Sequence, residues 1–126
     1  MKNLGFTLIE LLIVLTIIGI LGTISYPLYT EHLVKMRRTY AITTLADLAG
    51  KIEEYYVLHN TYNNAVADIT KNSYHLYSIA TDDIYVLHAD PLGKQAESDI
   101  LCGSLTLDQN GNRGVNGVGS VEKCWR

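Results

Sequence analysis

Positive charge is scarce in this sequence. Its 126 residues hold 10 Lys and Arg against 13 Asp and Glu, a formal net charge of −3. From His59 to Arg126 the basic residues are Lys71, Lys94, Arg113, Lys123 and Arg126, opposed by Asp68, Asp82, Asp83, Asp90, Glu97, Asp99, Asp108 and Glu122. That half therefore lacks the broad basic footprint that a phosphate backbone attracts. Cysteine is limited to Cys102 and Cys124, whose spacing is neither CxxC nor that of a zinc site, so redox catalysis and metal binding are disfavoured. Of the four histidines, His32, His59, His75 and His88, no two stand at a metal-binding helical spacing, and no nucleophile motif accompanies them. No catalytic residue, metal or cofactor is implied. The length admits one small domain and not two.

What the chain does have is one long apolar run. It begins "MKNLGFTLIELLIVLTIIGILG", and Phe6 to Tyr26 matches the ~20 residues that cross a bilayer as a helix. Three readings start from that run. A secretory signal peptide places its small cleavage residue after the apolar core, whereas Gly5 precedes it here. A plain anchor fits the length, although Glu10 then costs energy inside the membrane, less near its edge than at its centre. An acid in such a segment reads by default as a functional group awaiting a partner.

The third reading rests on "GFTLIE" followed by the apolar run, which resembles the class III signal of type IV prepilins. The resemblance implies that a prepilin peptidase cuts after Gly5 on the cytoplasmic side and that the new terminal residue, Phe6, is N-methylated. It also implies that residues 1–5 are a leader, that 6–28 form a hydrophobic helix serving as membrane anchor and then filament core, and that 29–126 form the head. Removing the leader, with Lys2, takes the formal charge from −3 to −4. Gly19, Gly22 and Pro27 stand where pilins commonly place helix-loosening residues, and proline deletes a helical hydrogen bond. Glu10 is expected to set subunit register by pairing with the amine of Phe6 on a neighbour.

Beyond Pro27, Val34, Ala41, Leu45, Leu48, Ile52, Tyr55 and His59 recur at steps of three, four or seven, the stripe of a helix lying on a core. The pattern predicts one helix from Phe6 to about His59, its amphipathic part over 29–59, weakened slightly by Gly50, with "NTYNN" as the exit turn. Strands are predicted at "YHLYSIA" from Tyr74, at "IYVLHA" from Ile84, and over Gly103 to Asp108. "TDD" makes the first turn, Pro91 ends the second strand, and Asn110–Gly111 makes a tight turn. The fold expected is α+β: a long N-terminal helix on a three- or four-stranded antiparallel sheet over 74–126, closed by a C-terminal loop.

Cys102 and Cys124 bracket the least regular segment, an arrangement that suits a disulfide in an oxidising compartment; two reduced, unconnected cysteines are the alternative. "CGSLTLDQNGNRG" and the terminal "CWR" resemble the C-terminal signature of PilE-type minor pilins, a group that includes DNA-binding ComP relatives. The resemblance implies other pilins, the prepilin peptidase and an inner-membrane assembly machinery as partners. It places the head in the periplasm of a Gram-negative cell before assembly and outside the cell afterwards. Asp82 and Asp83 read as turn chemistry, and the nine tyrosines read as packing. A minor pilin that helps initiate the filament is the leading expectation. Pilus-borne capture of DNA or of a surface is weaker, because Arg113, Lys123 and Arg126 are opposed by Asp108 and Glu122. A type II secretion pseudopilin is disfavoured by the cysteine pair, and subunit abundance is not written in the chain.

Overall fold

The computed structural model describes residues 2–126 and divides the chain into two compact units, Met1–Leu33 and Val34–Arg126. Helix α1 runs from Leu8 to His59 and supplies residues to both. It starts two residues later than the apolar pattern predicts, because Thr7 caps it. Helical geometry continues through Gly19, Gly22 and Pro27. In the first unit every side chain from Leu8 to Tyr29 is exposed, including Ile9, Leu12, Ile18 and Leu21. This part of α1 is long and apolar enough to cross a membrane.

In the second unit the expected stripe becomes the core. Ala41, Leu45, Leu48 and Ile52 of α1 are buried with Tyr74, Leu76, Tyr85, Leu87, Ala89, Leu105 and Leu107 of the sheet. Val34 and Tyr55 are half-buried, while His59 is exposed and stacks on Tyr55 with ring centroids 4.0 Å apart. Gly50 lies on the exposed side, where no neighbour depends on a side chain.

The sheet has five strands in meander order, β1(Asp68–Lys71), β2(Tyr74–Ala80), β3(Tyr85–Pro91), β4(Leu105–Asp108) and β5(Arg113–Val115). All four pairings are antiparallel. This corrects the expected three or four strands. The strand β1 has no buried face to reveal it, and it is set by a turn in which Asn72 and Ser73 adopt φ of 49° and 67°. Pro91 belongs to β3 because it pairs with Tyr74 at the ladder's last position. The β4 strand starts at Leu105, since Gly103 turns with φ of +60° and Ser104 gives its N–H to the Asn116 side chain. Two short helices, α2(Lys94–Ser98) and α3(Val121–Cys124), complete the unit. Ser120 caps α3 by accepting the Lys123 N–H.

Candidate functional site

Two places carry the expected chemistry: the start of α1, and the cysteine-bridged end of the second unit. At the first, residues 2–7 are non-helical and exposed, with Phe6 at 87 % exposure, so the Gly5–Phe6 peptide bond lies in open chain outside regular structure. Chain in that state is what proteases take most readily. Glu10 is already engaged within its own helix. Its Oε2 accepts the Thr7 backbone N–H at 2.8 Å, and its own N–H donates to Thr7 Oγ1 at 3.3 Å. This reciprocal pair is a capping box, in which the first residues of a helix satisfy donors that have no carbonyl to reach.

At the second place, Cys102 and Cys124 are bonded, both fully buried, across a sequence separation of 22. The alternative of two unconnected thiols is thereby removed. The bridge encloses β4 and β5. Trp125 follows it, buried, donating its indole N–H to the Gly114 carbonyl at 3.1 Å. The Arg113 guanidinium sits 5.4 Å from the Trp125 ring centroid, a cation–π placement. The expected Asn110–Gly111 turn is present, with Gly111 at φ +78° and its N–H on the Asp108 carbonyl. The Asp108 carboxylate takes the N–H groups of Asn110 and Asn112 and the Asn112 amide. These bonds, led by the Asn112 side chain, hold its carboxyl below the usual carboxylate range. An acid so occupied on the bridged loop offsets the nearby cations.

Of the residues weighed for other chemistry, Asp82 accepts the Thr61 hydroxyl at the β2–β3 turn, and His75 meets Asp68 at 2.8 Å across strands. His88 stacks on Tyr77, and His32 is exposed. Among the described residues no three His, Cys, Asp or Glu gather into a metal-sized group.

The composition gave no hint of a buried polar cluster beneath α2. Asp99, 2 % exposed, binds Arg38 of α1, and Gln95, fully buried, donates to the Val34 carbonyl at 3.1 Å and to the Tyr74 hydroxyl at 3.0 Å. Burial pushes the Tyr74 phenol up to about 12. Arg38 stands in "KMRRTY", and nothing in that string separates it from Arg37 beside it.

A model of the family described as "Type IV minor pilin ComP, DNA uptake sequence receptor" matches residues 27–106. A second, "Prokaryotic N-terminal methylation motif", matches residues 1–26. A fimbrial protein of Neisseria meningitidis serogroup B is 35 % identical over 71 residues, covering 55 % of this chain and 42 % of its own length. Fimbrial protein EcpC of Eikenella corrodens is 42 % identical over 52 residues, covering 41 % and 34 %. A type IV major pilin protein PilE1 of Neisseria gonorrhoeae is 36 % identical over 67 residues, covering 52 % and 41 %. The chain thus spans about two fifths of the length of the first curated relatives it matches.

Proposed function

We propose that this chain, which belongs to the type IV minor pilin ComP family, is a filament subunit made as a membrane-held precursor. Prepilin peptidase cuts after Gly5 and Phe6 is methylated on its new amine. The apolar part of α1 anchors the subunit in the inner membrane, with the head in the periplasm of a Gram-negative cell. The assembly machinery then transfers that helix into a pilus beside other pilins. The exposed side chains Ile9, Leu12, Ile13, Ile17 and Ile20 exchange lipid for neighbouring helices, a contact that is apolar and carries no register of its own. Register comes from Glu10 and the cationic amine of a neighbour's Phe6. Gly19, Gly22 and Pro27 loosen the helix as it changes surroundings.

The observation that carries this reading is the coincidence of the methylation motif over residues 1–26 with an exposed, non-helical Gly5–Phe6 bond immediately before the α1 cap. Quantitative mass spectrometry of sheared filaments tests it. The expected species begins at Phe6, carries one added methyl, lacks the two hydrogens of the Cys102–Cys124 bond and is a minor fraction of the pilin. A full-length chain found only in membranes would refute it.

The description of the family matched over residues 27–106 favours a second activity, capture of DNA by the head. Arg113, held over Trp125, with Lys123 and Arg126, supplies the nearby cations. Filter binding by a soluble head beginning at about Glu31, measured across salt concentrations, tests it. Three phosphate contacts correspond to a log–log slope near −2.7 on a duplex, about −0.9 per contact. Retention that does not change with salt would refute capture through these cations.

A further inference from the structure

We infer that the end of the second unit at which α1 enters is a docking face for anionic phospholipid headgroups of the membrane that α1 crosses. This rests on the reading that α1 anchors the chain in a membrane, and every residue of the face lies within Val34–Arg126.

Three parts of the fold meet at that end. Gln95 of α2 reaches the Val34 carbonyl of α1 at 3.1 Å, and the Leu92 N–H donates to the Ser73 carbonyl of the β1–β2 turn at 2.8 Å. Lys71 of β1 sets its ammonium 5.8 Å from the centre of the Tyr40 ring of α1. Lys35, Lys71 and Lys94 are exposed here and Arg37 is half-buried. Among the described residues no ion pair engages any of these four. Asp99 is taken by Arg38, which leaves Glu97 and the half-buried Asp90 as the acids nearby.

The opposite end has the other sign. Thr61, just past α1, bonds Asp82 of the β2–β3 turn, and Glu53 binds Tyr62 beside it. Glu54 and Asp83 add to these acids, while Lys51 is held by Asp47. A chain of net charge −3 is thus divided, with its free cations at the end where α1 enters.

Distance decides which end a membrane attracts. Lys35 follows Tyr26 by nine residues, about 13 Å of helix. A headgroup layer of roughly 5 to 7 Å and a Debye length of about 8 Å together span that gap. Glu53 lies 18 residues further along α1, about 27 Å and more than three Debye lengths away. Anionic lipid therefore attracts the near end without meeting the acids of the far one. Met36 and Leu92, both exposed, stand among the cations. Apolar side chains beside lysines suit the boundary between headgroups and acyl chains better than they suit a nucleic-acid backbone. Held by a few cations, the head rests on its membrane weakly and reversibly.

The test uses the full-length chain in lipid nanodiscs that carry a gadolinium-chelating lipid, and reads the relaxation enhancement of backbone amides. In phosphatidylglycerol discs the Asn72 and Gly93 amides should relax several-fold faster than in phosphatidylcholine discs, with no change at Asp82. Each cation at the surface multiplies the docked population about fivefold. Lys35→Gln with Lys71→Gln and Lys94→Gln should therefore return the signal to its phosphatidylcholine level. Salt at about 1 M, where the Debye length is ~3 Å, should do the same to the wild type. Glu54→Gln with Asp83→Asn alters net charge away from the face and should leave the enhancement unchanged. Equal enhancement of the wild type in the two lipids overturns the inference. So does a rise with the acid variant as large as the fall with the lysine variant, because net charge and not its placement would then be responsible. Enhancement in neither disc, with duplex DNA shifting the same amides, would assign the cations to nucleic acid and overturn it too. A chain that fails to enter the discs at all defeats the anchor reading instead.

Discussion

Arg38 and Asp99, 61 residues apart, meet through two bonds, Nε to Oδ2 at 2.9 Å and Nη2 to Oδ1 at 3.2 Å. The fork of the guanidinium matches both carboxylate oxygens, which fixes the orientation of each. Because the acid is almost wholly buried, removing its partner leaves a charge in low dielectric. Arg38→Ala is therefore expected to destabilise the head by roughly 3 to 5 kcal/mol, and the pair replacement Arg38→Met with Asp99→Leu by clearly less. Chemical denaturation of the single and double variants checks the order. Equal losses would show that packing, and not charge pairing, holds α1 to this corner.

Two phenols make the fold sensitive to alkali. Tyr74 and Tyr85 are pushed up to about 12 from the ordinary 10.0, each first by burial; at Tyr85 the nearby Glu53 adds to the rise. A folded value above the unfolded one means that their contribution is complete below pH 10.0 and declines as pH rises toward about 12. Stability should thus be lost in that window, with tyrosinate absorbance appearing together with unfolding. Tyr74→Phe should move the loss to higher pH, and ionisation well ahead of unfolding would contradict the assignment.

The Cys102–Cys124 bond closes a loop whose entropy cost corresponds to about 3 kcal/mol. Replacing both cysteines with serine should lower head stability by about that amount. Filament yield after expression in the host, compared with thermal unfolding of the purified protein, reads the effect. No change in either would mean that the buried contacts suffice without the bond.

Backbone in the bridged loop runs so close that Gly103 and Gly117 leave no room for a side chain. Gly103 has φ +60°, and a Cβ there would overlap the Asn116 side-chain oxygen that receives the Ser104 N–H. At Gly117 a Cβ would stand 2.6 Å from the Ile100 carbonyl oxygen. Gly117→Ala is expected to cost at least ~1 kcal/mol, by forcing the chain past two carbonyls. Gly50→Ala, on an open helix face, should instead stabilise by up to ~1 kcal/mol. Thermal midpoints of the two variants should move in opposite directions.

Glu10→Ala is expected to be cleaved after Gly5 like the wild type and to enter filaments poorly. Normal recovery of the variant in sheared pili would remove Glu10 from the assembly step.

Much of this architecture was legible because it is periodic. The stripe of Ala41, Leu45, Leu48 and Ile52 points inward as the helical spacing requires, and the alternation of Tyr85, Leu87 and Ala89 marks the inner face of β3. Strand β1 was not legible, because "DITK" has no buried face and is placed by its pairing with Tyr74 to Tyr77. Helices α2 and α3, of 5 and 4 residues, are too short to show a period. The Arg38–Asp99 pair joins two residue types that are ordinarily exposed, across a separation no local pattern spans. Thr7 and Glu10, by contrast, stand at the T-x-x-E spacing of a capping box, so a local role for the acid was readable beside the intersubunit one.

The meander has a consequence for the order of events when the head forms. Each strand pairs with the one before it in the sequence, so β1 to β5 can assemble in chain order, with no strand waiting for a distant partner. The sulfur bridge is different. It joins the segment before β4 to the helix after β5, and so ties together the two flanks of the last two strands. In the finished head β1, β2 and β3 therefore hold by their ladders and the core alone, whereas β4 and β5 are also fastened by a covalent clasp.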